Sequence, residues 1–212
     1  MSDAPMVTIA VPKGRVLKSL VSRLAAAGVD TAPLLADDRT LVREDPASGT
    51  RFLLLKPDDV PTYVEYGAAD LGIVGRDVLL ERDYDLLAPV DLGIGRCKMC
   101  VAGLANDRPP EDHPRPLRVA TKFTRIAGRH YRAQGREVEL IYVQGSVELA
   151  PITGLADVIV DLVETGETLR QNGLDVFEDI CEISSVLIAN RASLKLERAA
   201  IQPLMQALGA AS

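Results

Sequence analysis

Asp161, Glu164, Thr165, Gly166, Glu167 and Thr168 are the residues whose types and spacing point most directly to chemistry. Val160-Asp161-Leu162-Val163 reads as an apolar strand that delivers an acid. Glu164-Thr165-Gly166-Glu167-Thr168-Leu169 then reads as a TGxT turn opening a helix. N–H groups at a helix start have no intrahelical acceptor, the helix dipole makes that end positive, and two threonine hydroxyls add further donors. Such a turn suits a phosphate, and the acid at the strand end suits ribose hydroxyls. The same residues also read as an ordinary helix capped by Thr165.

Other segments carry groups that a phosphate-rich ligand needs. Pro12-Lys13-Gly14-Arg15 sits between a strand and a helix, so an ammonium and a guanidinium stand at a strand's carboxyl edge, where open α/β sheets bind anions. A solvated basic turn is the alternative. Neither GxxxxGK[ST] nor GxGxxG occurs. In Gly145-Ser146-Val147-Glu148, Ser146 is the expected N-cap of a short helix, and Glu148 serves either the turn or a sugar hydroxyl. Gly67 to Asp77 brings Asp70, Gly75 and an arginine to another strand end, or is simply a tight helix–strand–helix connection.

Those groups need a scaffold, and the composition supplies one: 212 residues, 47% hydrophobic and 25% charged, suffice for one large domain or two small lobes. A net charge of −6 argues against a nucleic-acid partner, so a polyanion must meet local cations or arrive with a metal. The sequence offers no signal-peptide pattern and no apolar run approaching the ~20 residues of a membrane span, so a cytoplasmic protein with no membrane association is expected. Cys97 and Cys100 form a CxxC inside an expected strand, which puts their thiols on opposite faces. With only His113 and His130 besides, no zinc cluster can be assembled, and no protein metal ligand is assigned.

Short apolar runs alternate with amphipathic stretches, the pattern of an α/β protein with largely parallel sheets. Strands are expected at Met6 to Val11, Phe52 to Leu55 with a hairpin partner at Thr40 to Arg43, Leu71 to Val74, Leu86 to Leu92 and Lys98 to Ala102. Helices are expected over Gly14 to Ala27, Val60 to Tyr66 and Asp77 to Glu81. After the polar, proline-rich Asn106 to Pro116 the rhythm restarts, with strands at Leu117 to Ala120, Val138 to Val143 and Val158 to Val160. Helices over Phe123 to Gln134, Val147 to Ala150 and Thr165 to Asn172 separate and follow them. Ile180 to Ala189 reads as a final long strand and Ser193 to Leu208 as the last helix. The expectation is therefore two α/β lobes, 1–93 plus 185–212 and 94–184, with the C-terminal segment returning to the first.

PKGR at 12–15, ADLGIVGRDVLLE at 69–81, RVATKF at 118–123, SVELAPITGLADVIVDLVETGETLRQNGL at 146–174 and SSVLIANRAS at 184–193 together resemble the short-form catalytic subunit of ATP phosphoribosyltransferase. The resemblance runs from Val7 to about Gln206, and its strength lies in the order and spacing of the segments. It implies two α/β lobes resembling type II periplasmic binding proteins, with the active site in the cleft. It also implies transfer of the 5-phosphoribosyl group of 5-phosphoribosyl 1-pyrophosphate (PRPP) to N1 of ATP, with Mg2+, as the first step of histidine biosynthesis.

On that resemblance Asp161 holds the ribose, while Thr165, Gly166 and Thr168, with the backbone of Glu164 and Glu167, hold the 5-phosphate. The two glutamate carboxylates must then point away from it. Lys13 and Arg15 meet the pyrophosphate, and Arg39 or Arg51 reaches it or the ATP triphosphate. Lys13, Arg15 and Arg39 form the catalytic set. Lys56 and Glu148 join the substrate-binding set, and Asp70 and Gly75 line the adenine-nucleotide side. A separate regulatory subunit similar to histidyl-tRNA synthetase, and homodimerisation within a hetero-oligomer, are implied as well. A two-lobed ligand-binding module would share the fold without the cradle. A nucleobase-salvage phosphoribosyltransferase would carry two adjacent acids, where this chain has Val160 before Asp161.

Overall fold

The computed structural model describes residues 6–26, 28–36, 38–110 and 113–209. In chain order it contains β1 (Val7–Pro12), α1 (Arg15–Ala26), α2 (Ala32–Leu35), β2 (Val42–Asp45), β3 (Thr50–Leu55), α3 (Val60–Glu65), β4 (Leu71–Gly75), α4 (Arg76–Glu81) and β5 (Leu87–Asp91). Then follow β6 (Cys97–Leu104), β7 (Leu117–Thr121), α5 (Thr124–Ala133), β8 (Val138–Tyr142), α6 (Leu149–Ile152), β9 (Val158–Val163), α7 (Glu167–Gln171), β10 (Leu174–Ile183), β11 (Ser185–Ala189), α8 (Arg191–Leu196) and α9 (Arg198–Gly209). The chain divides into two compact units: unit 1 comprises Met1–Leu79, Asp83–Gly95 and Ser184–Ser212, and unit 2 comprises Leu80–Arg82 and Arg96–Ile183.

Unit 1 is built on a six-stranded sheet of order β2-β3-β1-β4-β11-β5. Its central strands β1, β4 and β11 are apolar on both faces, as strands covered by helices require. Ile9 and Val11 of β1 pack with Leu20 and Leu24 of α1 and Ile201 and Leu208 of α9. Between them in sequence, Ala10 faces the opposite side, with Val60 and Val64 of α3 and Val78 of α4. Gly72 sets how closely α3 approaches: a Cβ there would lie 2.7 Å from Val64 Cγ2 and 2.8 Å from Val60 Cγ1.

Unit 2 repeats the plan on a five-stranded sheet of order β10-β6-β9-β7-β8. Ile126, Ala127 and Tyr131 of α5 cover one face against Val119, Val158 and Val160. Ala150 of α6 and Leu169 of α7 cover the other against Ala120 and Ile159. In each unit a central strand therefore has parallel neighbours on both sides, β1 between β3 and β4, and β7 between β8 and β9. The crossover helices leave on opposite faces, so the β1/β4 and β7/β9 boundaries are topological switch points, where loops diverge and open a crevice at the strands' carboxyl ends.

Several expectations need correction. The sheets are mixed rather than largely parallel: β2–β3, β4–β11, β5–β11, β6–β9 and β6–β10 are antiparallel pairs. The expected single strand from Ile180 to Ala189 is two strands in different sheets, β10 pairing β6 and β11 pairing β4 and β5. At the change of sheet, Ser184 O accepts from Arg76 N at 2.9 Å, and Ser185 N donates to Ile94 O at 2.9 Å. The expected terminal helix is also split. Asn190 Oδ1 caps α8 by accepting from Ala192 N and Ser193 N, and Glu197 interrupts it before α9. Among the described residues, no helix is long and apolar enough to cross a membrane.

Candidate functional site

At the unit 2 switch point, Asp161 lies near the end of β9 in register with Cys100 of β6. On the other side, β9 is tied to β7 by Thr121, whose buried hydroxyl donates to Val160 O at 2.6 Å and accepts from Phe123 N at 2.8 Å. Continuing the parallel register Val119↔Val158 and Ala120↔Ile159 sets Lys122 beside Asp161. The sequence reading missed Lys122, because this adjacency depends on pairing between segments 39 residues apart.

The turn after β9 is held in shape by its own helix. Gly166 takes φ 71° and precedes α7, so it, and not Thr165, is the N-cap. Thr165 Oγ1 accepts from Glu167 N at 3.3 Å, the short-range part of the expected cap. Arg170 reaches back, with Nη1 donating to Thr165 O at 3.1 Å and Nη2 to Glu167 Oε2 at 2.7 Å. Gln171 donates to the other Glu167 oxygen at 2.9 Å. These two partners hold the exposed Glu167 carboxyl below its usual range, and draw its charge towards Arg170. Thr165 and Thr168 are exposed, and Leu169 anchors the helix in the core. The turn thus presents two hydroxyls and the first N–H groups of α7 at a strand's carboxyl end. Glu148 occupies the N-cap position of α6, with no side-chain cap bond. Ser146, the expected N-cap, instead takes φ 48°, the one positive φ among non-glycine described residues.

Unit 1 gathers only part of its expected set. Lys13 N donates to Leu55 O at 3.0 Å, and Pro12 pairs with Leu55, so Lys13 and Lys56 stand side by side, both exposed, at the carboxyl ends of β1 and β3. The β1–β4 register, continued, brings Gly75 to the same edge next to Lys13. A Cβ on Gly75 would lie 2.1 Å from Asp77 Oδ1, so a side chain there would have to displace the buried Asp77 carboxylate. Arg76 follows it, exposed, and was not singled out from the sequence.

Arg51 and Asp70 are elsewhere. Arg51 pairs with Thr8 near the amino end of β1 and donates to Glu44 at 2.8 Å. Asp70 is at that end too, its carboxylate accepting from Thr8 N at 2.8 Å. Both stand at the start of the strands expected from Phe52 and Leu71, so chain order alone puts them at amino ends. Arg39 is exposed on the loop before β2. Beneath that loop, buried Arg43 donates to Pro33 O, Thr40 O and Asp38. The side chain of Arg15 lies outside the described residues.

Among the described residues, no group of three or more His, Cys, Asp or Glu side chains is placed to hold a metal ion. Asp161 and Glu164 supply carboxylates beside the turn, a donor set suited to an ion that brings most of its ligands as phosphate oxygens and water.

Two α/β units, each with a switch point between its central parallel strands and exposed hydroxyl or cationic side chains at strand carboxyl ends, define a protein of the type II periplasmic-binding-protein architecture. Residues 56–210 match the family HisG, ATP phosphoribosyltransferase. ATP phosphoribosyltransferase of Sorangium cellulosum is 57% identical over 207 residues, covering 97% of this chain and 95% of the relative. That of Geobacter metallireducens is 46% identical, covering 98% of each. The ATP phosphoribosyl transferase (HisG:HisZ) complex from Thermotoga maritima contains a chain of the same fold, with TM-score 0.82, 34% identity and 96% of each chain covered. The chain belongs to the ATP phosphoribosyltransferase family, and its near-equal length with these relatives fits the short form.

Proposed function

We propose that this chain transfers the 5-phosphoribosyl group of PRPP to N1 of ATP, releasing phosphoribosyl-ATP and pyrophosphate as the first step of histidine biosynthesis. The observation that carries the reading is the β9–turn–α7 segment from Asp161 to Thr168, in a chain 57% identical to a named ATP phosphoribosyltransferase. Asp161 accepts from the ribose hydroxyls. Thr165, Gly166 and Thr168, with the N–H groups at the start of α7, take the 5-phosphate. Arg170 keeps the Glu167 carboxylate from opposing that phosphate. Lys13, Lys56 and Arg15 are assigned to the polyphosphate groups, and Gly75 to the nucleotide. Arg39 remains a candidate for phosphate, and Glu148 for a sugar hydroxyl. Arg51 and Asp70, held at the far strand ends, are less suited to the roles first given them.

The chemistry asks little of acid–base groups. Adenine N1 has a free lone pair at neutral pH, and the anomeric carbon gains oxocarbenium character as pyrophosphate leaves. Alignment of two substrates supplies at most ~7–11 kcal/mol, and a cation on the leaving group adds about 3–4 kcal/mol. A divalent ion, proposed to be Mg2+, enters on the polyphosphate and neutralises the departing charge. A homodimer, a regulatory partner of the HisZ kind named in the Thermotoga complex, and a cytoplasmic location complete the reading.

The test is pyrophosphate release from PRPP and Mg2+ with ATP, adenine, guanine or uracil, with and without the companion subunit. Activity confined to ATP supports the reading. Turnover with a free base, or none with ATP and the companion present, overturns it. Asp161→Asn should raise the KM for PRPP about tenfold and leave that for ATP nearly unchanged, the size of one lost charge-assisted hydrogen bond.

A further inference from the structure

We propose that unit 2 carries a second anion site, separate from the β9–α7 turn, which takes a small molecule bearing two or more phosphates in an arginine-lined cavity at the amino ends of β7 and β8. The cavity is about 1200 Å³, enough for a nucleotide-sized ligand by comparison with the ~300–1,000 Å³ of typical small-molecule sites. Arg115, Arg118, Arg132 and Arg136 line it, together with Glu137 and Glu139. Because β7 and β9 run parallel, this amino edge is opposite the carboxyl edge that bears Thr165 and Thr168. The site therefore goes beyond the proposed reaction and does not depend on it.

Two of the four guanidiniums are held in place by one carboxylate. Asp157, immediately before β9, is gripped by Arg115 through Nη1 at 2.8 Å and Nη2 at 2.7 Å, a forked contact of the kind guanidinium makes with carboxylate or phosphate. Arg118 donates its backbone N–H to Asp157 at 2.8 Å and adds Nη2 at 3.3 Å. Its Nε is buried without a hydrogen-bond partner among the described residues, an unsatisfied donor on the wall of the recess.

Arg132 and Arg136 come from the end of α5 and the loop before β8. Neither is within ion-pair distance of a carboxylate among the described residues, although Glu137 and Glu139 lie on the same rim. The Arg136 guanidinium carbon lies over the Tyr131 ring, 5.7 Å from its centre, a cation–π contact. A smaller adjoining cavity of about 270 Å³ is also lined by Arg115 and Arg136, so the concave basic surface continues past the main recess. Two fixed guanidiniums and two unpaired ones in a single concavity match several phosphate charges better than one.

The probe is inorganic tripolyphosphate, titrated into the full-length chain with and without saturating PRPP, and followed by calorimetry and by the Nε–H signal of Arg118 in 15N spectra. A PRPP-insensitive binding event that shifts the Arg118 signal is expected. It should weaken at least tenfold in Arg132→Gln/Arg136→Gln, whose PRPP binding stays as in wild type. Arg132 is exposed, so Arg132→Gln alone, expected to weaken binding several-fold, keeps the test valid if the double variant folds poorly. Displacement of all tripolyphosphate by PRPP overturns the proposal, as does undiminished PRPP-insensitive binding in the variants. Absence of any PRPP-insensitive binding, with the double variant instead losing a protein subunit from the native complex, overturns it in favour of an acidic protein surface as the occupant.

Discussion

Arg170 shows how a residue with no direct claim on a substrate shapes one that has. It spans the turn from Thr165 O to Glu167 Oε2, and without it the turn would present an unneutralised carboxylate beside its phosphate donors. Arg170→Ala should raise the KM for PRPP about tenfold with a smaller change in kcat, measured from initial rates of pyrophosphate release. Asp157 gives a prediction in pH. Burial alone would push its carboxyl up, but hydrogen bonds from Arg115 and from the Arg118 backbone and side chain outweigh burial and hold it well below the usual range. A carboxyl depressed in the folded state stabilises it above the unfolded value of ~3.9, and that stabilisation disappears as pH falls towards the folded value. Asp157→Asn should cost about 1–3 kcal/mol at pH 7, with half-exposed Arg115 limiting the size. The gap between variant and wild type should narrow steadily below about pH 4 in urea unfolding curves, and a gap independent of pH would show that the carboxylate charge is not what holds β9 to β7.

At the level of elements, the sequence was most legible where periodicity is local. β1, α1, β3, α3 and β4 fall within a residue or two of their expected limits, because each announces itself by an apolar run or an amphipathic stripe bounded by Gly or Pro. The change from β10 to β11 was not legible, since both halves of Ile180 to Ala189 are extended and only their pairing partners differ. Pairing is also why the sheets proved mixed. The turn from Asp161 to Thr168 was legible because strand, turn and helix are contiguous; Lys122 was not, because sheet register brings it there. Gly72 shows how one residue controls an element. A side chain at that position would press on Val60, Val64 and Ile188, and forcing α3 off the sheet costs about 1–3 kcal/mol in a well-packed core. Gly72→Ala should lower the urea midpoint accordingly, and an unchanged midpoint would mean that α3 yields without strain.

Taken whole, the molecule uses one topology twice, and each copy ends its central strand on a lysine one residue past the sheet, Lys13 after Pro12 and Lys122 after Thr121. Those cations stand out in a chain whose net charge is −6. A free polyphosphate therefore meets a repulsive overall field and attractive strand ends, and a divalent ion that arrives with it relieves the first without weakening the second. Among the described residues no side-chain group is ready to hold such an ion beforehand, and Mg2+ in particular keeps its waters unless phosphates and one or two carboxylates replace them. The expected behaviour is that Mg2+ titrated into the protein alone gives no saturable heat below about 1 mM, whereas PRPP added first produces a saturable event. EDTA should abolish pyrophosphate release without lowering the melting temperature, and added Mg2+ should restore the rate at once. A melting temperature that falls with EDTA would instead reveal a metal resident in the fold, and the carboxylates beside the turn, Asp161 and Glu164, would be the first to substitute in finding it.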